Sequence, residues 1–436
     1  MGTVSSRPAV PHRVTGGASS VAGSPARAFV VIFLLAFAVR AALLASWAST
    51  HGDFHRLGGE IGRVALSLLR TGAFADPYMI PTGPTAHPTP AGPALLALIY
   101  HAFGMTAAAG YVRAAVGICS YSALYALLPW FALRLGLGTR AGFIAGIVGA
   151  LVPGQGLDEV LGPGLTAHAA LAFGLLTVAF SHRWSAARPS GAASWLLGLG
   201  CGAAFHLLPP LLLVTLGYLA FELRWRRTWR AGLLCACVVA GAALACLPWT
   251  WRNYTTLHGL FFVRSNFGLE LRIANHDGAH ADIDVTLARD AVFPHPSVSL
   301  EHARQVRDLG EAEYMRRARN EALAWIGAHP AEFMRLTLMR ALHFWCGPLR
   351  YPPLAALYTT LTVLAILGLR RAWPALGAPG RAALLIPLAT FPLVYYVVSY
   401  VAHYPAPLAW LLLLLAGHEV GSWVGRAGNP SRRAEA

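Results

Sequence analysis

The chain has 436 residues, 56% hydrophobic and only 12% charged, with a mean hydropathy of +0.52 and a formal net charge of +15. Soluble domains carry roughly 25% charged residues. Several runs here reach about 20 apolar residues, the length that crosses a bilayer as a helix, so a soluble fold is excluded. The basic surplus is all Arg and sits in short turns between apolar runs, where positive charge orients a membrane protein; this excludes a nucleic-acid partner.

Residues 1–26 are Ser-, Gly- and Pro-rich and read as a disordered cytoplasmic tail. The apolar run that follows is too long for a signal-peptide core and is kept as an uncleaved span. Span 1 covers about Ala28 to Trp47. Arg40 lies inside it, either snorkelling to the headgroups or facing a neighbouring helix. The loop 48–110 then lies outside the cytoplasm. In it, Ile61, Val64, Ala65, Leu68 and Leu69 give Glu60 to Arg70 a helical apolar face that Gly72 ends. This helix is too short to span and should lie along the interface. Pro93 to Phe103 is a second short apolar helix.

Span 2 is about Ala114 to Leu133, and span 3 about Ala141 to Val152. They are followed by the external loop Pro153 to Gly164 and by span 4, Leu165 to Phe180. Ser194 to Phe221 is flanked by Arg on both sides, so it should be a hairpin of two short spans turning near His206 to Pro210. Span 7, about Ala231 to Leu247, leads out to Pro248. The segment 249–352 stays outside, with amphipathic helices at Gly310 to Ala328 and on to Trp345. Spans 8, 9 and 10 are about Leu354 to Leu369, Ala382 to Val401 and Leu408 to Val424, and 425–436 is a cytoplasmic tail.

The expected architecture is therefore an all-α polytopic membrane protein of about ten spans. It divides into an N-terminal membrane module (27–248), an external segment (249–352) and C-terminal membrane helices (353–424). Of the 19 acidic residues, all but Glu222, Glu419 and Glu435 fall in the external segments, where chemistry on that face would need them. The six cysteines lie in or beside apolar runs and read as buried thiols rather than disulfides or metal ligands. Neither phosphate-binding glycine motif is present, and no His pair has zinc spacing. An enzyme working outside would have no nucleotide supply and would take activated groups from a lipid carrier.

Three stretches carry a resemblance. The first is Glu60 followed by I-G-R-V-A-L-S-L-L-R-T-G-A-F, then G-P-T-A-H-P-T-P-A-G-P and a short helix ending F-G. The second is P-W-T-W-R-N-Y-x-x-x-H-G at Pro248 to Gly259 with V-R-S-N-F-G-L-E-L-R-I-A-N at Val263 to Asn275. The third is G-E-A-E-Y at Gly310 to Tyr314 leading to H-P-A-E-F. Together they resemble the GT-C superfamily of polytopic membrane glycosyltransferases, and more narrowly the bacterial relatives of protein O-mannosyltransferases and of the lipid A aminoarabinose transferases.

The resemblance implies a GT-C-like bundle in the cytoplasmic membrane with its active site on the external or periplasmic side. It implies inverting transfer of a sugar from a polyprenyl-phosphate carrier to a hydroxyl on a lipid, glycan or protein. No cofactor is firmly implied, and a divalent ion is left open. A carboxylate in the first loop would deprotonate the acceptor, because a hydroxyl is a poor nucleophile until a base takes its proton. Where the family carries Asp or Asp-Glu, this chain carries Gly59-Glu60, so Glu60 is the candidate and Asp53 the reserve. The departing phosphate calls for cationic donors. Arg252 and Asn253 at headgroup height and His87 beside Pro88 are candidates for it, against interfacial anchoring or a plain loop role, while Arg264, Asn266, Glu270 and Asn275 would shape the external segment or contact substrate. Asp158 and Glu159 form a second external acid pair that would hold acceptor or phosphate, or be a solvated loop pair. Tyr404, in H-Y-P-A-P where the family has R-Y-R-x-P, would line the pocket. The rival class is a transporter or flippase of lipid-linked sugars, which calls for ionisable groups along the spans and internal repeats.

Overall fold

The computed structural model describes residues 24–50, 58–154, 158–289 and 294–427. Helices follow one another as α1 (Pro25–Thr50), α2 (Gly59–Thr71), α3 (Ala91–Phe103), α4 (Ala107–Arg134), α5 (Thr139–Leu151), α6 (Asp158–Leu161) and α7 (Leu165–Ser185). Then come α8 (Gly191–Leu207), α9 (Leu211–Arg226), α10 (Trp229–Leu257), α11 (Phe267–Ala274), α12 (Ile283–Arg289), α13 (Leu300–Leu309) and α14 (Glu311–Ala328). The last are α15 (Pro330–Cys346), α16 (Pro352–Ala372), α17 (Ala378–Thr390), α18 (Leu393–Val397) and α19 (Ala409–Ala427). Among the described residues there is no strand, only the isolated bridges Ala75 to Pro84 and Asp282 to Tyr400. The chain is an all-α polytopic membrane protein.

All ten expected spans are helical, and among the described residues seven segments are long and apolar enough to cross a membrane. The exceptions, α5, α8 and α9, have 13, 17 and 16 residues. Pro153 follows α5, and the pair Pro209-Pro210 makes the expected hairpin turn between α8 and α9. Two other expectations change. The helix of span 7 does not stop at Pro248: α10 runs through that proline to Leu257, so the expected boundary at 248 falls inside a helix. Span 9 is broken, with α17 ending at Thr390 and α18 starting after Pro392.

Lipid is as apolar as a leucine side chain, so membrane helices associate by close packing of small residues. The contact of α8 with α10 shows this. A methyl group on Gly198 would strike the Val238 carbonyl, and one on Gly241 would lie 2.6 Å from the Trp195 carbonyl. In the same way Gly368 lets α16 lie on α19 at Leu415. At one end of the bundle, buried carboxylates neutralise the Arg-rich turns. Glu222 accepts from Arg183 Nε at 2.7 Å, and Glu419 from Arg371 Nε at 2.6 Å. These are two of the three acids that the sequence leaves outside the external segments.

The opposite end carries a second core. Leu269 and Ile273 of α11, Ala303 and Val306 of α13, and Tyr314 and Met315 of α14 pack around Tyr78 from the first loop. Nearby, α2 lies on α3 and α4 through Ala65, Leu96, Ile99 and Ala109. The first loop is thus held between membrane helices and the segment after α10.

Candidate functional site

The site is built on residues 74–87. Asp76, with φ of 59°, sits in the left-handed region that a short polar side chain tolerates. Its Oδ1 accepts from Thr82 N at 2.9 Å and Gly83 N at 2.8 Å, which closes a small hairpin. Glu311, the first residue of α14, then grips the hairpin's far arm. Its buried carboxylate accepts from the Thr85 hydroxyl, from Ala86 N at 2.8 Å and from Ser265 Oγ at 2.6 Å. An acid suits a helix N-terminus, and three donors offset its loss of water. Arg252 of α10 donates to the carbonyls of Thr85 and of Phe74, the latter at 2.8 Å, and stacks over Phe74 and Trp249. Arg264 Nε donates to the His87 carbonyl at 2.7 Å.

So fixed, His87 turns its ring into a polar cluster. Its Nδ1 meets Tyr78 OH at 2.9 Å and its Nε2 meets Glu60 Oε2 at 2.9 Å. Glu60 stands in the first turn of α2, behind Gly59, whose φ of +72° favours glycine. Its other oxygen, Oε1, accepts from Ser297 Oγ at 2.7 Å and faces His295 Nε2 at 3.4 Å. Burial alone would raise the Glu60 carboxyl, but the charge and hydrogen bond of His87, with His295 and Ser297, hold it well below the carboxylate range. Burial would lower His87, yet Glu60 wins and His87 is raised. His295 is lowered, by burial. The cluster is an ionised carboxylate with His87 on one oxygen and His295 facing the other.

The ligand atoms of Glu60, His87 and His295 lie within 4.8 Å of one another, a spacing that could hold a cation. The tautomer argues against it. Ser297 N donates to His295 Nδ1 at 3.0 Å, so the proton of the neutral ring is on Nε2, the atom a metal would need. The three groups fit together as a hydrogen-bonded carboxylate, not as a metal cage.

Beside this cluster a cavity of about 420 Å³ opens where bundle and external segment meet. Leu165 and Ala169 of α7, Leu208, Pro209, Pro210 and Leu212 at the α8–α9 turn and Val394 of α18 make its apolar side. Thr89, Arg264, Asn266, Glu270, His403 and Tyr404 make its polar side. The Tyr404 phenol is pushed up by burial and by Glu270, so it stays a hydrogen-bond donor. A second cavity of about 690 Å³ lies between the end of α10 and the start of α14, and Arg264 and Phe267 border both.

The structure thus brings Glu60 and His87 together and sets Arg264 and Tyr404 on one cavity beside them. The remaining sequence candidates sit elsewhere. Asp53 lies outside the described residues. Asp158 begins α6, and Glu159 is buried against Arg40, 2.6 Å away. Arg252 and Asn253 are engaged with backbone carbonyls, Asn253 Nδ2 with that of Phe261 at 3.1 Å. His87 has both ring nitrogens occupied within the cluster. Sequence reading passed over His295, Ser297, Tyr78 and the grip of Glu311. The motif His295-Pro296-Ser297 in a charged external segment was the one available signal.

No family model matches the sequence, and no curated protein does. Solved structures do match. The oligosaccharyltransferase of Archaeoglobus fulgidus, in complex with Zn and sulfate, superposes with a TM-score of 0.52 at 16% identity, over 92% of this chain and 51% of its own. The same enzyme with an inhibitory peptide and a dolichol-phosphate gives 0.52 at 17% identity, over 89% and 50%. The chain therefore spans about half the length of that enzyme. ArnT from Cupriavidus metallidurans bound to undecaprenyl phosphate gives 0.34 at 15% identity, over 92% and 79%. Over about nine tenths of its length, the chain shares the fold of about half of this archaeal membrane enzyme.

Proposed function

We propose that the chain is an inverting glycosyltransferase that moves a sugar from a polyprenyl-phosphate carrier to an acceptor hydroxyl. It would act at the membrane surface opposite the Arg-rich turns, the external side by the positive-inside rule. One observation carries this: a cavity walled by membrane helices on one side and by Arg264, Glu270 and Tyr404 on the other, joined through Arg264 to the loop of His87, which holds the ionised Glu60. An isoprenoid chain would lie along the apolar wall and its phosphate would meet Arg264, whose Nε is already fixed on His87. The acceptor would approach from the second cavity, which shares Arg264.

In this reading the acceptor oxygen bonds to the anomeric carbon as the carbon–phosphate-oxygen bond breaks. The phosphate leaves with the electron pair and Glu60 takes the acceptor's proton. A second reading of the base has its own support. Three donors keep the proton affinity of Glu60 low, whereas Glu270 lines the cavity and, among the described residues, accepts one hydrogen bond, from Asn266 Nδ2 at 2.8 Å. The rival, a flippase, is disfavoured by where ionisable groups sit: Arg40 pairs with Glu159, Arg183 with Glu222 and Arg371 with Glu419, at the two ends of the bundle.

The test incubates the purified chain with radiolabelled polyprenyl-phosphate sugars and acceptor extracts. Release of free polyprenyl phosphate, abolished in Glu60→Gln with folding intact, supports the first reading. Loss in Glu270→Gln alone selects the second, and carrier movement without release selects the flippase.

A further inference from the structure

A third cavity, of about 880 Å³, lies at the Arg-rich end between α4, α7 and α8. We infer that it binds an anionic phospholipid of the surrounding leaflet, with the phosphate among Arg134, His182 and Arg188 and the acyl chains along α7 and α8. This assignment is independent of the reaction at the other end of the bundle.

The charge argument rests on which arginines share this cavity. Positive turns are general on this face, and several of their arginines are engaged with carboxylates or carbonyls. Arg226 donates to the carbonyls of Arg183 and Ala186, both at 2.9 Å, which also caps the negative end of α7. Arg371 is paired with Glu419. Arg134 and Arg188, by contrast, meet no carboxylate among the described residues; Arg134 lies over the Trp130 ring at 5.5 Å. Both line the cavity. Glu222 does not neutralise them, because Arg183 and Arg226 share it.

Two further features favour an anion. Pro189, Ser190 and Ala193 put the N-terminus of α8 on the cavity, and Ser190 Oγ satisfies one amide there, Ala193 N at 3.1 Å. Arg183 also lines it, and its Nη2 is buried without a hydrogen-bond partner. Ser181 and Ser185 also line it, and the rest of the wall includes the apolar Leu175, Val178, Ala179 and Leu197, of which Leu175 is 47% exposed. Cations and a helix N-terminus above an apolar groove match a phosphate on two acyl chains. A soluble anion would leave the groove unfilled.

The test uses the full chain in nanodiscs of phosphatidylcholine with or without phosphatidylglycerol, read by native mass spectrometry and thermal unfolding. The expected result is a retained phosphatidylglycerol and a raised melting temperature. In Arg134→Gln/Arg188→Gln, affinity should fall on the order of 10- to 30-fold. Arg227→Gln, an exposed arginine of the same face outside the cavity, should bind as the parent does. Equal binding by the double variant, or equal retention of phosphatidylcholine, overturns the proposal. If millimolar inorganic phosphate alone gives the same thermal shift, the site takes a free anion and the lipid assignment fails.

Discussion

Arg40, in the second half of α1, and Glu159, in α6, meet at 2.6 Å with both side chains shut off from solvent. The guanidinium also donates to the Gly149 and Ala150 carbonyls at the end of α5, each at 3.1 Å, and lies over the Tyr125 ring. One cation therefore ties the first span to the loop that was expected to hold substrate. Glu159→Gln should destabilise the fold by about 3–5 kcal/mol, since it leaves a buried guanidinium without its counter-charge. Replacing both residues by Met should recover most of that loss. Thermal unfolding of the two variants in one detergent checks the pair; additive losses would refute it.

Glu60 and His87 predict a pH signature. His87 is raised above 6.5 in the fold, so its contribution is complete below 6.5 and fades as pH climbs through the higher folded value. Glu60 lies well below 4.5, so its contribution holds above 4.5 and fails only on strong acidification. The melting-temperature gap between parent and His87→Gln should be widest below pH 6.5 and shrink as pH rises above it. A gap that stays constant with pH would mean His87 is neutral.

Glu311 never touches the cluster, yet it holds the loop that bears His87. Glu311→Ala leaves Thr85, Ala86 N and Ser265 without their common acceptor, and should cost about 3 kcal/mol. Hydrogen exchange should speed up in residues 74–87 while α7 and α19 stay protected. Uniform exposure of the whole chain would point instead to global unfolding.

Arg252 and Arg264 should separate cleanly. Arg264→Met should weaken carrier binding by on the order of 10-fold or more, as expected for a lost charge-assisted contact. Arg252→Met should lower stability and leave carrier affinity of the folded fraction unchanged, because its donors go to Thr85 and Phe74. Titration with undecaprenyl phosphate in detergent reads both. Similar affinity losses in the two variants would show that Arg252 also reaches the phosphate.

Much of the helical plan was legible in the sequence because apolar run length and Arg placement are local properties. The hairpin at Pro209-Pro210 and the interfacial helix at Glu60 needed nothing more. The partners of Glu60 were not legible, since Ser297 lies 237 positions away and only the packing of α11, α13 and α14 on Tyr78 brings its segment there. The same holds for Arg40 and Glu159, 119 positions apart. Each looks like an isolated charge until the fold joins them. Pro248 misled for a different reason: a proline reads as a stop, but its ring is tolerated inside a helix when neighbours take up the freed carbonyl.

The passage of α10 through that proline has a mechanical outcome. The nine residues that follow Pro248, up to Leu257, add about 13 Å of continuous rod beyond the expected exit. Trp249 Nε1, Thr250 Oγ1 and Asn253 Nδ2 clamp the returning chain at Val263, Phe262 and Phe261, at 3.0, 2.7 and 3.1 Å. Arg264 is thus cantilevered from the bilayer on a stiff post, at a height set by helix pitch. A headgroup docking there would find its cation at a fixed altitude, and any gating would have to come from the loops around it.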